Sequence, residues 1–252
     1  MYLAVSLLFG GKVILEMHEL EEQQEQSLFL RTYARITRWL LLRRADMVVV
    51  HSMHDAKLLN ISNVRIIPHP IYKQVMRLNK RSFPKSFNIL FFGLIRDYKG
   101  LPDLIEAYQM LEVEDKRLHI MGEMWDHVDI PDDPTINATL RYLKEYEVLR
   151  VFSFADVIVL PYTRASQSGV AHIAMDYGIP IVSTPVGGLI DALSGYAGWW
   201  PVRPNSPEDI ADALYWIAKY RESERNFPIP EHLEDEKIVS KWKDLFTELS
   251  NR

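Results

Sequence analysis

Two short segments carry the residue types that suit a phosphate. FFGLIRDYKG (91–100) follows an apolar run and supplies Arg96 and Lys99 around Gly93 and Gly100. A guanidinium can fork onto two phosphate oxygens, and an ammonium adds a point charge. PYTRASQSG (161–169) also closes an apolar run. It places Ser166, Gln167, Ser168 and Gly169 where a helix begins, and backbone N–H groups at a helix start attract anions. A third turn, TPVGG (184–188), ends in Gly187 and Gly188, which allow a close backbone approach or a tight turn. Each has a plainer reading: a solvated loop with two cations, a serine that only caps its helix, a simple turn. Three such loops at the carboxyl ends of parallel strands would bind a nucleotide diphosphate.

Buried strands must position these loops. Apolar runs of strand length recur at 13–17, 47–50, 64–67, 88–92, 118–121, 157–160 and 180–182. Continuous apolar character suits strands covered on both faces, as in parallel sheets. Helical patterns lie between them at Leu28–Arg44, 101–111, 169–177 and 207–220. The last starts with Ser206 as N-cap, Pro207 at the first helical position, and Glu208 and Asp209 in the first turn. The alternation predicts an α/β fold with parallel sheets.

The basic, weakly patterned stretch YKQVMRLNKRSFPKS (72–86) reads as a linker. It divides the chain into a first domain over 1–83, a second over 84–228, and a terminal amphipathic helix over 229–252. That helix carries Ile238, Trp242, Leu245, Phe246 and Leu249 on one face and is expected across the domain junction. The apolar start of the chain, broken by Gly10, Gly11 and Lys12, is too short and interrupted to span a bilayer.

Composition narrows the chemistry. The 252 residues are 48% hydrophobic and 25% charged, ordinary for a chain with a real core. A net charge of −5 gives no ground for a nucleic-acid partner. The chain has no cysteine, which excludes disulfides, thiolate metal sites and cysteine nucleophiles. His18, His51, His54 and His69, scattered and without helical i, i+4 spacing, do not read as a zinc site, and no metal or other cofactor is expected.

In order and wording, the segments resemble the group 1 (family 4) glycosyltransferases, built on two facing Rossmann-like domains (the GT-B fold). The resemblance rests on FFGLIRDYKGLPDLIEAY, LHIMGE (118–123), SFADVIVLPY, QSG and AMDYGIPIVSTPVGGL. Before the linker it rests on VILEMHEL, RADMVVVHS and VRIIPHP. It implies a nucleotide-sugar donor, UDP- or GDP-linked, and transfer to an acceptor that the sequence does not name. It implies retention of configuration without a metal. By the resemblance, Arg96 and Lys99 hold the diphosphate, and Gly93, Gly122, Glu123, Ser166, Gln167, Ser168, Gly169, Gly187 and Gly188 line the donor site. His18 takes the place of the active-site histidine facing the donor.

The chain departs from the family pattern in two ways. Where the family often carries two glutamates eight apart, it has Ala165 and Ile173; Asp176 and Asp191 are candidate substitutes, with surface solvation the plainer role. The first domain is also short against the family, lacking its opening strands and much of the acceptor surface. A late start, a truncated gene product or a partner subunit would each account for this, and the exposed edge of a half sheet predicts a homodimer or poor solubility. A nucleotide-binding accessory module is therefore the alternative to a complete enzyme. An epimerase shares the fold, but the needed acid and base carboxylates are absent. Helix Leu28–Arg44 sets Arg31, Arg35, Arg38, Arg43 and Arg44 against Leu28, Leu30, Ile36, Trp39, Leu40 and Leu42. It fits either a core-facing helix with a solvated basic face or a peripheral contact with an anionic membrane. Glu21, Glu22 and Glu25 precede it. The expected location is cytoplasmic, with a peripheral place at the inner membrane face as the alternative.

Overall fold

A computed structural model describes residues 11–18, 28–71, 86–220 and 227–251; the side chains of residues 28–31 are not described. The predicted linker, nearly all of it, and the three glutamates before the first helix lie outside these residues. The chain divides into two compact units, one of Met1–Pro70 with Glu231–Arg252, the other of Ile71–Pro230.

The first unit holds β1 (Ile14–Glu16), α1 (Leu28–Arg44), β2 (Met47–Val50), α2 (Met53–Leu59) and β3 (Val64–Ile66), and takes back α8 (Asp235–Ser250) from the chain's end. Its three strands are parallel in the order β1-β2-β3. The sequence MVVV makes β2 the buried centre, with every residue at 0% exposure. One sheet face packs Met47, Val49 and Ile67 against Ile238, Leu245 and Leu249 of α8. The other gathers Ala45, Val48 and Val50 with Leu42, Ala56 and Leu59. Arg65 donates two hydrogen bonds to the Glu248 carboxylate at 2.7 and 2.8 Å, fastening β3 to α8. The tail helix that the sequence sets apart thus builds the core of the first unit. Phe246 does not join that face: it is exposed and stacks on Trp242.

Helix α1 departs from the core-facing reading. Leu42 reaches the sheet, whereas Tyr33, Ile36, Trp39 and Leu40 are exposed. Among the described residues, no helix is long and apolar enough to cross a membrane.

The second unit holds β4 (Phe87–Phe92), α3 (Leu101–Met110), β5 (Lys116–Met121), β6 (Ile136–Thr139), α4 (Glu145–Phe154), β7 (Val157–Leu160), α5 (Gly169–Asp176), β8 (Ile181–Ser183), α6 (Gly188–Leu193), β9 (Trp199–Pro201) and α7 (Pro207–Lys219). All six strands are parallel, in the order β6-β5-β4-β7-β8-β9. Relabelled from the first strand of this unit, the order is 3-2-1-4-5-6, the doubly wound arrangement whose strand order reverses between β4 and β7. Strands β4 and β7, almost wholly apolar, sit at its centre and are buried apart from the half-buried Phe92. Asp156, just before β7, accepts the Asn88 backbone N–H at 2.8 Å, which locks the two strands in register. On one face, α3 and α7 bury Leu104, Tyr108, Ile210 and Leu214 against Ile89, Phe91 and Val159. Ser206 and Pro207 start α7 as predicted, although the Ser206 side chain makes no capping bond to the helix.

Candidate functional site

In an open parallel sheet, ligands bind outside the carboxyl ends of the strands where the winding reverses. Here that point lies between β4 and β7, and the two phosphate-type loops follow those two strands. They are tied together: the Thr163 N–H donates to the Tyr98 carbonyl at 2.8 Å, and Gly100 is packed against the Pro161 carbonyl so closely that a Cβ would overlap it. The turn after β8 joins them, since the Gly188 N–H donates to the Ala165 carbonyl at 2.9 Å.

Lys99 lies in a short 3-10 turn, Asp97–Lys99, that Gly100 ends in a left-handed conformation before α3. Its ammonium lies 5.2 Å from the centre of the Tyr162 ring. A Cβ on Gly93 would stand 3.1 Å from the Lys99 Nζ, so glycine there lets the amine lie against the strand end. Burial lowers the Lys99 pKa to about 8. Among the described residues no carboxylate pairs with it. A desolvated cation without a counter-charge, beside the amino ends of α3 and α5, calls for an anion.

Arg96 is arranged differently. Its Nε stands 3.3 Å from Asp126 Oδ2, and its guanidinium lies 5.1 Å from the Trp125 ring centre. Asp126 also accepts the Asp97 N–H at 2.9 Å. One carboxylate therefore orients the arginine and fixes the start of the turn. The sequence reading missed Asp126, which lies 30 residues from Arg96 in no recognisable motif. It also passed over Arg164, inside the second loop, whose guanidinium lies 5.1 Å from the Tyr98 ring centre.

Ser168 caps α5: its Oγ accepts the Ala171 N–H at 3.3 Å. Ser166 and Gln167 are half-buried beside it, and Gly169 is exposed. The glycines Gly122 and Gly187 have a clear reason of their own. Both have positive φ, and a Cβ would collide with the Gly93 carbonyl at Gly122 and with the Ala165 carbonyl at Gly187. They let the loops close on one another. Glu123 is exposed, and its carbonyl accepts the Ile95 N–H at 2.8 Å, holding the loop after β4 against the loop after β5. Asp176 is not a solvated surface group: it is 3% exposed within α5, and Asp191 is half-buried in α6.

His18 belongs to the first unit, whereas these loops belong to the second. It follows β1, as His51 follows β2 and His69 follows β3, and the parallel register lines up their carboxyl ends. The rings of His51 and His69 stack at 3.7 Å, with His18 at 4.8 and 5.1 Å from them. Histidines scattered in sequence are thus gathered at one sheet edge; His54 lies in α2 and is not among them.

Residues 86–219 match the family described as glycosyl transferases group 1. A GDP-mannose:glycolipid 4-beta-D-mannosyltransferase of Xanthomonas campestris pv. campestris is 31% identical over 126 residues, 46% of this chain and 36% of that protein. A D-inositol 3-phosphate glycosyltransferase of Paenarthrobacter aurescens (strain TC1) is 30% identical over 157 residues, 58% of this chain and 38% of that one. The chain spans about a third of the length of the curated relatives it matches. Among solved structures, Anabaena Alr3699/HepE in complex with UDP-glucose superposes with a TM-score of 0.67 at 14% identity, over 99% of this chain and 75% of that one. The sucrose-phosphate synthase from Thermosynechococcus elongatus gives 0.65 at 17%, over 99% and 71%. These two likenesses carry the fold: parallel α/β units of the GT-B type.

Proposed function

The chain belongs to the group 1 glycosyl transferases, and from that membership we propose that it transfers a sugar from a UDP- or GDP-linked donor to an acceptor hydroxyl. The observation that carries this reading is Lys99, a desolvated ammonium with no carboxylate partner among the described residues, at the switch point of a 3-2-1-4-5-6 sheet. The donor diphosphate is its counter-charge. Lys99 and Arg96 neutralise the negative charge that grows on the departing diphosphate, and such preorganised charge lowers the barrier most when water is excluded. Arg164 adds a third cation from the second loop. The backbone N–H groups at the start of α5, and Gln167, meet the sugar and its phosphate.

The site is rich in cations and places no carboxylate on Lys99. By the family resemblance, the leaving diphosphate takes the acceptor's proton, attack comes from the leaving-group face, and the sugar keeps its configuration. The two candidate bases come from similarity: the Xanthomonas relative is named for GDP-mannose, and Alr3699/HepE was solved with UDP-glucose. His18 is assigned to the transferring sugar by family resemblance alone.

Helix α1 supports a second element of the reading, contact with an anionic lipid surface. Its sequence carries no acidic residue, and Arg35, Arg38 and Arg43 flank the exposed Tyr33, Ile36, Trp39 and Leu40. Cations beside an exposed apolar stripe are the pattern of an interfacial helix.

The test of the activity is release of UDP or GDP from UDP-glucose and GDP-mannose, with and without added glycolipid or polyol acceptors. Release that depends on Lys99 and yields a product of retained anomeric configuration, read by NMR, is the expected result. Nucleotide binding without any release would instead mark an accessory nucleotide-binding module.

A further inference from the structure

We infer that His18, His51 and His69 form a binding site for one divalent transition-metal ion of the zinc class, at the carboxyl edge of the first unit's sheet. The three rings come from the ends of three adjacent parallel strands. One ligand nitrogen from each can be chosen so that all lie within 4.8 Å of one another. Four-coordinate zinc with metal–nitrogen bonds of about 2.0–2.1 Å holds its ligands about 3.3 Å apart. Binding requires the His51 and His69 rings, stacked at 3.7 Å, to turn until both lone pairs meet one ion; the His18 Nδ1 and His69 Nε2, hydrogen-bonded to each other in this structure, already lie 3.2 Å apart.

His51 gives the strongest sign of a ligand. Its Nδ1 lies 2.8 Å from the Ile67 carbonyl, which can only accept, so Nδ1 carries the hydrogen and Nε2 carries the lone pair. A backbone carbonyl on the far nitrogen is the arrangement that orients metal-binding imidazoles. The His51 side chain is 4% exposed, and Nε2 has no hydrogen-bond partner. Glu16 supplies a carboxylate on the same side: its Oε1 stands 3.4 Å from His51 Nε2 and 4.0 Å from His18 Nε2. Three imidazoles suit zinc or cobalt; magnesium and calcium prefer all-oxygen shells.

This inference does not depend on the chain being an enzyme. The test is titration of the untagged full-length chain with Zn2+ by calorimetry, and with Co2+ by visible absorption, each repeated with excess Mg2+. The expected result is one ion per chain, a four-coordinate Co2+ spectrum, and no competition from Mg2+. Removing an outer-shell partner of a ligand costs about 10–100-fold in affinity, so His51→Gln and His69→Gln should each weaken binding by at least that range. His127→Gln, at an exposed histidine beside Asp129, should leave it unchanged. His69→Gln guards against a folding defect in His51→Gln, with circular dichroism in chelator as the check. No stoichiometric Zn2+ binding, or binding that survives both substitutions, would overturn the site.

Discussion

The ammonium of Lys99 lies 5.2 Å from the centre of the Tyr162 ring, so a cation from the loop after β4 rests on an aromatic from the loop after β7. The two strands are neighbours at the reversal of the sheet. The pair therefore bridges the crevice where this fold takes its ligands, and it does so with a charge that lacks a carboxylate.

That charge gives the site a pH dependence. Burial holds the Lys99 pKa down at about 8, below its ordinary 10.5. A bound diphosphate favours the protonated amine, so binding takes up protons as pH rises through 8. Nucleoside diphosphate affinity should be full near pH 7 and drop on the order of tenfold by about pH 9. Lys99→Arg, charged throughout, should flatten the profile. Calorimetry across that range reads both; a flat wild-type curve would detach Lys99 from the ligand.

Asp126 positions Arg96 and accepts the Asp97 N–H. Asp126→Ala should remove one acceptor from a half-buried guanidinium and the acceptor of the Asp97 N–H. A loss of about 1–2 kcal/mol in stability by urea denaturation is expected. The affinity for UDP or GDP should also fall, since Arg96 is no longer held. Unchanged values on both counts would make the pair an incidental surface contact.

Gly187 tests the close packing of the loops. Gly187→Ala drives a Cβ into the Ala165 carbonyl at a positive φ of 49°. Such strain costs about 1–3 kcal/mol. The expected signature is a lowered melting temperature together with weakened nucleotide binding, because the same carbonyl anchors Gly188. Gly169→Ala meets nothing within 4 Å and should be far milder for stability.

Much of this was legible in the sequence, for reasons that vary by element. The seven strands read from apolar runs are all present within two residues, because strands covered on both faces advertise themselves by composition. β6 and β9 escaped: INAT is half-exposed at the sheet edge and WWP ends in proline. The loops after β4 and β7 carried their own chemistry, but Asp126 and the aromatic partners of the cations come from tertiary packing. The gathering of three histidines was not legible in the sequence for a topological reason. Each stands just past a strand, and parallel strands bring their ends together whatever the distance along the chain.

Helix α1 should bind anionic bilayers. Cosedimentation with vesicles containing phosphatidylserine is expected, and it should be lost in about 0.5 M salt, where the Debye length is only a few ångströms. Each cation near such a surface contributes about 1 kcal/mol, so Arg35→Glu should weaken binding about thirtyfold. Trp39→Ala should weaken it through lost apolar contact. Vesicles without anionic lipid that bind equally well would contradict the electrostatic part of the account.

The central claim is that Lys99 and its neighbours form a diphosphate site. Calorimetric titration of the full-length chain with UDP and with GDP, repeated on Lys99→Met, tests it most directly. The account predicts micromolar binding of at least one nucleotide, weakened about 10–100-fold in the variant, the range of one charge-assisted hydrogen bond. Binding of neither nucleotide, or equal binding by wild type and Lys99→Met, would contradict it.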